Sequence, residues 1–220
     1  MILGIYCAGN LGRVFYDLTV RINAVQRRWE KIVFVDDVYE GTSFYDGVEV
    51  HRLAAWKEPK ENVEIVIANG TPRGRKAIYN RVVGEGYRLA TLVSPTAIVS
   101  PSARLGVGVV ILDYATVFSN AVIDENVLIS AYSAVGHDVF VGAHSDIQTN
   151  TILGGNVCIG EGTFLGLSVT VKEDLSIGSD TIIGMGAVVS REIGDNVIAV
   201  GDPARAVRRN EDGIVFREHS

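Results

Sequence analysis

Two patterns of apolar positions divide the chain. From Val93 onward an Ile, Leu or Val recurs at every sixth residue, through Val99, Leu105 and Ile111 to Val189, seventeen in succession without a slip of register. The residue four positions further on (Ala97, Ala103, Val109 and so on to Ala187) is small or β-branched, Leu175 excepted. Glycine often follows the aliphatic, as at Gly106, Gly142, Gly160, Gly166, Gly178 and Gly184. Helices repeat near 3.6 residues and strands every two, so a strict six fits neither as a long element. It predicts a hexapeptide parallel β-helix. Three hexads make a triangular coil, the aliphatic and the small residue point inward, and stacked coils bury one continuous column.

Residues 1–92 lack this period. Ile2–Ala8, Lys31–Asp36 and Val63–Ala68 read as buried strands. Val14, Phe15, Leu18, Ile22 and Val25 have helical spacing, and Pro72–Val83 reads as a second helix entered at its proline. Such alternation predicts a small parallel sheet with helices on its faces, a Rossmann-like α/β domain. Tyr87–Val93 leads into the coils, and residues 38–62, with Gly41, Gly47 and Pro59, read as irregular. The expected domains are 1–92 (α/β), 93–206 (β-helix) and a C-terminal tail, 207–220.

Composition narrows the function. A net charge of −6 and a pI of 5.2 argue against a phosphate-backbone binder. With 47% apolar residues and a mean hydropathy of +0.23, the chain is too apolar for disorder. Cys7 and Cys158 are too few for a disulfide framework or a cysteine zinc site. No apolar run approaches the ~18 residues of a membrane span, and the start has no basic leader. The expectation is a soluble, cytosolic protein.

Two places carry candidate chemistry. Cys7-Ala8-Gly9-Asn10-Leu11-Gly12 is a G-x-G-x-x-G turn with Cys7 in the first glycine's place. Opening a helix, it offers N–H groups to a phosphate, with Asp36 and Asp37 placed for a ribose; an ordinary strand-to-helix turn explains it equally well. Among His51, His137, His144 and His219, only two lie in the coils, which excludes a three-histidine zinc site of the γ-type carbonic anhydrases. His144 and His219 read as exposed polar residues, and His51 has no evident partner. His137 sits in a bend, where a solvated corner residue is the simplest reading. Asp138 can assist it only if the corner breaks strand alternation. Glu61, Glu64, Arg73, Arg75, Lys76, Arg208 and Arg209 read as solvated faces.

The combination of an α/β domain with a hexapeptide β-helix resembles the sugar acetyltransferases of the bacillosamine and perosamine type and their sialic acid O-acetyltransferase relatives. The likeness rests on Phe34-Val35-Asp36-Asp37, Ile67-Ala68-Asn69-Gly70, Ser100-Pro101-Ser102-Ala103, Gly136-His137-Asp138, Gly155-Asn156-Val157 and Gly201-Asp202-Pro203-Ala204-Arg205. It implies a left-handed β-helix, a homotrimer with sites between subunits, no metal and no permanently bound cofactor. It implies acetyl transfer from acetyl-CoA, as co-substrate, to the 4-amino group of a UDP-, GDP- or dTDP-linked deoxysugar in cell-surface glycan synthesis. Alternatives are sugar O-acetylation and a silent nucleotide-sugar-binding scaffold. By the same resemblance His137 is the catalytic histidine and Asp138 its acidic neighbour, Leu167 and Met185 line the acetyl-CoA groove, and Gly9, Asn10, Leu11, Asp36, Asp37 and Gly70 contact the sugar nucleotide. Arg208 and Arg209 become candidates for the CoA phosphate. The chain departs from the pattern at Cys7, at Leu11, and at Asp146, which stands where some members carry a second histidine facing the thioester.

Overall fold

The structure, a computed structural model, describes residues 1–214. Its first part runs β1 (Ile2–Tyr6), α1 (Asn10–Gln26), β2 (Lys31–Val35), β3 (Ser43–Phe44), β4 (Val48–His51), β5 (Val63–Ile67), α2 (Pro72–Gly84) and β6 (Arg88–Leu89). The strands form one sheet in the order β3-β4-β2-β1-β5-β6, parallel except for the β3–β4 pair. Phe15, Leu18 and Ile22 of α1 pack with Leu3 and Ile5 on one side. Val82 of α2 packs with Val33, Val35, Ile65 and Trp56 on the other. Thr71 caps α2 by accepting the Gly74 N–H at 3.1 Å, with Pro72 at the first helical position, where its missing donor costs nothing.

The segment 38–62, expected to be irregular, instead holds the β3–β4 hairpin and two short 3₁₀ turns, Leu53–Ala55 and Lys60–Asn62. Asp46 and Gly47 both adopt positive φ (59° and 72°) between Tyr45 and Val48, the backbone that a two-residue hairpin turn requires.

From Leu92 the chain winds as a left-handed parallel β-helix. Each coil gives a two-residue strand to each of three sheets, so residues eighteen apart pair, as Ala134 does with Ile152 and Ile152 with Thr170. Every sixth residue from Gly108 to Gly186 turns the corner at positive φ, among them Asn120 (60°), Asp138 (58°) and Asn156 (59°). Gly, Asn and Asp tolerate this region best. Inside, Ile111, Val117, Ile123 and their successors form one buried column. The hydroxyls of Ser145, Thr151 and Thr163 also point inward, and each donates to a glycine carbonyl of the next coil (Gly160, Gly166 and Gly178, at 2.7–2.9 Å). Among the described residues no buried hydroxyl of the coils lacks a hydrogen-bond partner.

The three faces of the prism differ. The docking face, whose strands include Val110–Ile111, Leu128–Ile129 and Asp146–Ile147, is covered: its outward Val110 and Leu128 join the core around α1. The second face carries Ile98, Thr116, Ala134, Ile152 and Thr170 outward, with Ile98 and Ile152 exposed. The third carries Arg104, Val122, Phe140, Cys158 and Ser176. The strand Val197–Val200 extends the docking sheet and pairs antiparallel with Arg205–Arg209, which therefore runs across the boundary expected after residue 206 and places Arg208 and Arg209 in a strand. The rest of the expected tail, 215–220 with His219, lies outside the described residues.

Candidate active site

His137 and Asp138 occupy the corner between the second and third faces. Positive φ at Asp138 breaks the strand alternation, so the two adjacent side chains meet: His137 Nδ1 lies 2.9 Å from Asp138 Oδ2. Asn120, one coil back, donates its amide to Asp138 Oδ1 at 3.1 Å. These two hydrogen bonds hold the Asp138 carboxyl below its ordinary range, that from His137 contributing most. A carboxylate at Nδ1 fixes the tautomer with the proton on that nitrogen and leaves Nε2 as an acceptor. The ring is more than half exposed and lies over Gly155, one coil on. A methyl group at Gly155 would come within 2.5 Å of His137 Nε2 and Cε1.

Leu167 and Met185 meet at the corner between the docking and second faces. They line an apolar cleft of about 320 Å³ together with Gln148, Phe164, Ile182 and Ile214. This edge and the His137 edge bound opposite sides of the second face, so one chain does not bring the cleft to the histidine.

Asp146 corrects the expectation of a group beside acetyl-CoA: it has no exposed surface, and Arg75 of α2 supplies the positive charge near it. Burial pushes its carboxyl up to about 7, against the pull of Arg75 and a hydrogen bond from Gln148. Arg75, expected on a solvated face, is also wholly buried. Its guanidinium donates to the carbonyls of Ile67 (2.9 Å) and Asn126 (2.7 Å) and to Asn126 Oδ1 (3.0 Å), tying the end of β5 to a coil corner. His144, expected to be exposed, is 4% accessible. Its ring stands edge-on to Tyr79 of α2, and Nδ1 lies 3.0 Å from Asn126 Nδ2; burial lowers its basicity.

In the α/β domain, Gly9–Leu11, Asp36–Asp37 and Gly70 lie just past the carboxyl ends of β1, β2 and β5, where a parallel sheet receives its ligands. Gly9 precedes α1 without a side-chain cap, and the space above its Cα is open. Asn10 is exposed, while Leu11 packs into the α1 core. Cys7 adopts φ 86°, which explains why a glycine suits this place; burial pushes its thiol up to about 12, so it is no nucleophile at neutral pH. The two aspartates are engaged by the protein itself. Asp36 accepts N–H groups from Ala8, Val38 and Tyr39 at 2.8–2.9 Å. Asp37 accepts Leu53 N–H and the Tyr6 hydroxyl and faces Arg81 Nη1 at 3.0 Å. Three neighbours of these candidate residues were not singled out as such from the sequence: Gly155, cited only within a motif, Gln148, and Arg75, read as solvated. Counting one coil on from His137 would have found Gly155.

Residues 3–82 match the PglD N-terminal domain family. The whole fold is similar to the acetyltransferase domain of PglB from Neisseria gonorrhoeae, at 29% identity over 94% of this chain and 99% of that one, with a TM-score of 0.87. It is similar to PerB from Caulobacter crescentus in complex with CoA and GDP-perosamine, at 28% identity over 94% and 97%, with a TM-score of 0.83. It shares its fold with WeeI from Acinetobacter baumannii, at 22% identity over 94% and 100%, with a TM-score of 0.65. With a PglD N-terminal domain set ahead of a left-handed β-helix, and a fold similar to these relatives over nearly their full length, the chain is an acyltransferase similar to the bacillosamine- and perosamine-type sugar acetyltransferases.

Proposed function

We propose that the protein transfers an acetyl group from acetyl-CoA to the 4-amino group of a UDP-, GDP- or dTDP-linked deoxysugar in the cytoplasm, with His137 as general base. The observation that carries this reading is the His137–Asp138 pair, held at a positive-φ corner with Nδ1 against the carboxylate and the ring more than half exposed. PerB, solved with CoA and GDP-perosamine, supports the substrate class.

The chemistry follows from the pair. The neutral sugar amine attacks the thioester carbonyl. As the C–N bond forms, nitrogen loses a proton to His137 Nε2, and Asp138 stabilises the resulting imidazolium. A backbone N–H of a coil corner stabilises the oxyanion. The C–S bond then breaks, and the imidazolium returns the proton to the departing thiolate. Both substrates are held together, so no covalent enzyme intermediate is needed. The open turn at Gly9–Leu11, with Gly70, receives the nucleotide. Asp36 and Asp37 shape that pocket chiefly by fixing the turn, since backbone donors already fill Asp36. Mixing the protein with acetyl-CoA and 4-amino or 4-hydroxy nucleotide sugars tests the reaction. Thiol release only with the amino sugars is expected, and no release with any of them would refute it.

Cleft and base lie on opposite edges of the second face, and that face presents Ile98 and Ile152 with Phe118, Tyr114 and Tyr132 along its margins, all exposed. A neighbouring copy laid against it would bury these residues and bring its own edge to the site. Closed cyclic symmetry meets both needs, and a homotrimer is therefore expected in sedimentation at micromolar concentration. A stable monomer with full activity would refute the shared site.

Gly155→Ala offers a test of the ring's seat. The added methyl displaces His137 without altering the imidazole. Turnover is expected to fall by as much as about 10², the cost of a misplacement near 1 Å, with the thermal midpoint little changed.

A further inference from the structure

We infer that Gln148 hydrogen-bonds the acyl-pantetheine arm of the CoA substrate, and that Asp146 acts as a positioning residue behind it. This rests on the reading that the cleft beside Leu167 and Met185 takes acetyl-CoA. Among the described residues lining that cleft, Gln148 alone carries a polar side chain; the others are Phe164, Leu167, Ile182, Ile183, Met185, Ile214 and two glycines. A pantetheine arm is largely methylene with a few carbonyl and amide groups, and an apolar cleft with one fixed polar group is the matching surface.

The carboxamide is not free to turn. Its Nε2 donates to Asp146 Oδ1 at 2.8 Å, which holds the nitrogen toward Asp146. One further N–H and the amide oxygen remain for a ligand. Asp146 cannot touch that ligand itself, having no exposed surface. Its other oxygen, Oδ2, is buried without a hydrogen-bond partner among the described residues, and Arg75 supplies the nearby positive charge. Position 146 therefore works through Gln148: the polar group reaching the cleft stands two residues on, on the same side of the strand line.

Calorimetric titration of the intact protein with acetyl-CoA and with CoA separates the possibilities. Gln148→Met is expected to raise the acetyl-CoA Kd about tenfold, the effect of one lost hydrogen bond, while leaving KM for the amino sugar unchanged. If the thioester carbonyl is the partner, the CoA Kd stays put; if a pantetheine amide is, both weaken alike. Asp146→Leu, which frees the carboxamide to rotate, is expected to weaken acetyl-CoA about threefold, and Asp146→Asn to restore it. Should Gln148→Met fail to fold, Gln148→Asn keeps an amide near Asp146 but withdraws it from the cleft and gives the same reading. Leu167→Trp fills the cleft. If it weakens acetyl-CoA and the Gln148 variants do not, the inference falls while the cleft stands. If Leu167→Trp changes nothing, the cleft reading falls and the inference with it.

Discussion

His137→Ala is expected to lower kcat by roughly 10²–10⁴, the usual cost of removing a positioned general base, with KM for both substrates nearly unchanged. The side chain is more than half exposed and contributes nothing to the buried column, so the variant should fold and melt like the parent. Asp138→Asn is the companion measurement. Asparagine accepts the positive φ of 58° that this corner demands, as Asn120 and Asn156 do one coil to either side, so the substitution removes the charge and keeps the shape. A smaller fall than for His137→Ala is expected, with the low-pH limb of the rate profile, where the base becomes protonated, moved to lower pH. Near-normal turnover of His137→Ala across pH 6–9 would remove His137 from the mechanism.

The largest stability effect is expected at Arg75. Arg75→Met leaves the carbonyls of Ile67, Asn69 and Asn126 without their donors and strips the buried Asp146 of its neighbouring cation. Leaving a buried acceptor unsatisfied costs about 1–3 kcal/mol for each group, readable as a lower urea midpoint. The pH dependence follows from Asp146, whose carboxyl is raised from an ordinary 3.8 to about 7, mainly by burial. The folded chain keeps a proton that the unfolded chain releases. That stabilisation is complete below the unfolded value and is lost as pH climbs to the folded one. Without Arg75 the folded value rises further. The variant should therefore keep losing stability above pH 7, where the parent has levelled off. Parallel pH dependence in the two proteins would show that the guanidinium does not act on Asp146.

Why some of this was readable in the sequence and some not has a physical basis. Coil corners admit few backbones, so the six-residue spacing of inward aliphatics survives in plain view, and the three central strands of the α/β sheet are continuous apolar runs. The β3–β4 hairpin pairs few residues at a sheet edge, too short for alternation to register, although Asp46-Gly47 marks its turn. Arg75 and His144 were misjudged, and the burial of Asp146 went unseen, for one shared reason. Charged and polar residues are mostly solvated, and what buries these three is the docking of α2 on the prism, a long-range event absent from local pattern. One clue existed. Asp146 occupies the coil position filled elsewhere by Val110, Leu128, Phe164 and Ile182, all buried against other parts of the chain. The His137–Asp138 pair was legible as a motif, but its geometry depended on a backbone torsion that no residue spacing reveals.

The stacked coils also act as a ruler. Neighbouring strands in a sheet lie about 4.8 Å apart, so each eighteen residues advance the chain by that distance along the axis. His137 and Leu167 are separated by one and two-thirds coils, an axial offset of roughly 8 Å. Inserting a whole coil between them would stretch this offset by one step and keep the aliphatics in the column, whereas inserting one residue would turn every later aliphatic out of it. The reach between His137 and the apolar cleft can therefore change only in fixed increments, and chains built on this prism are free to differ in length far more readily than in register.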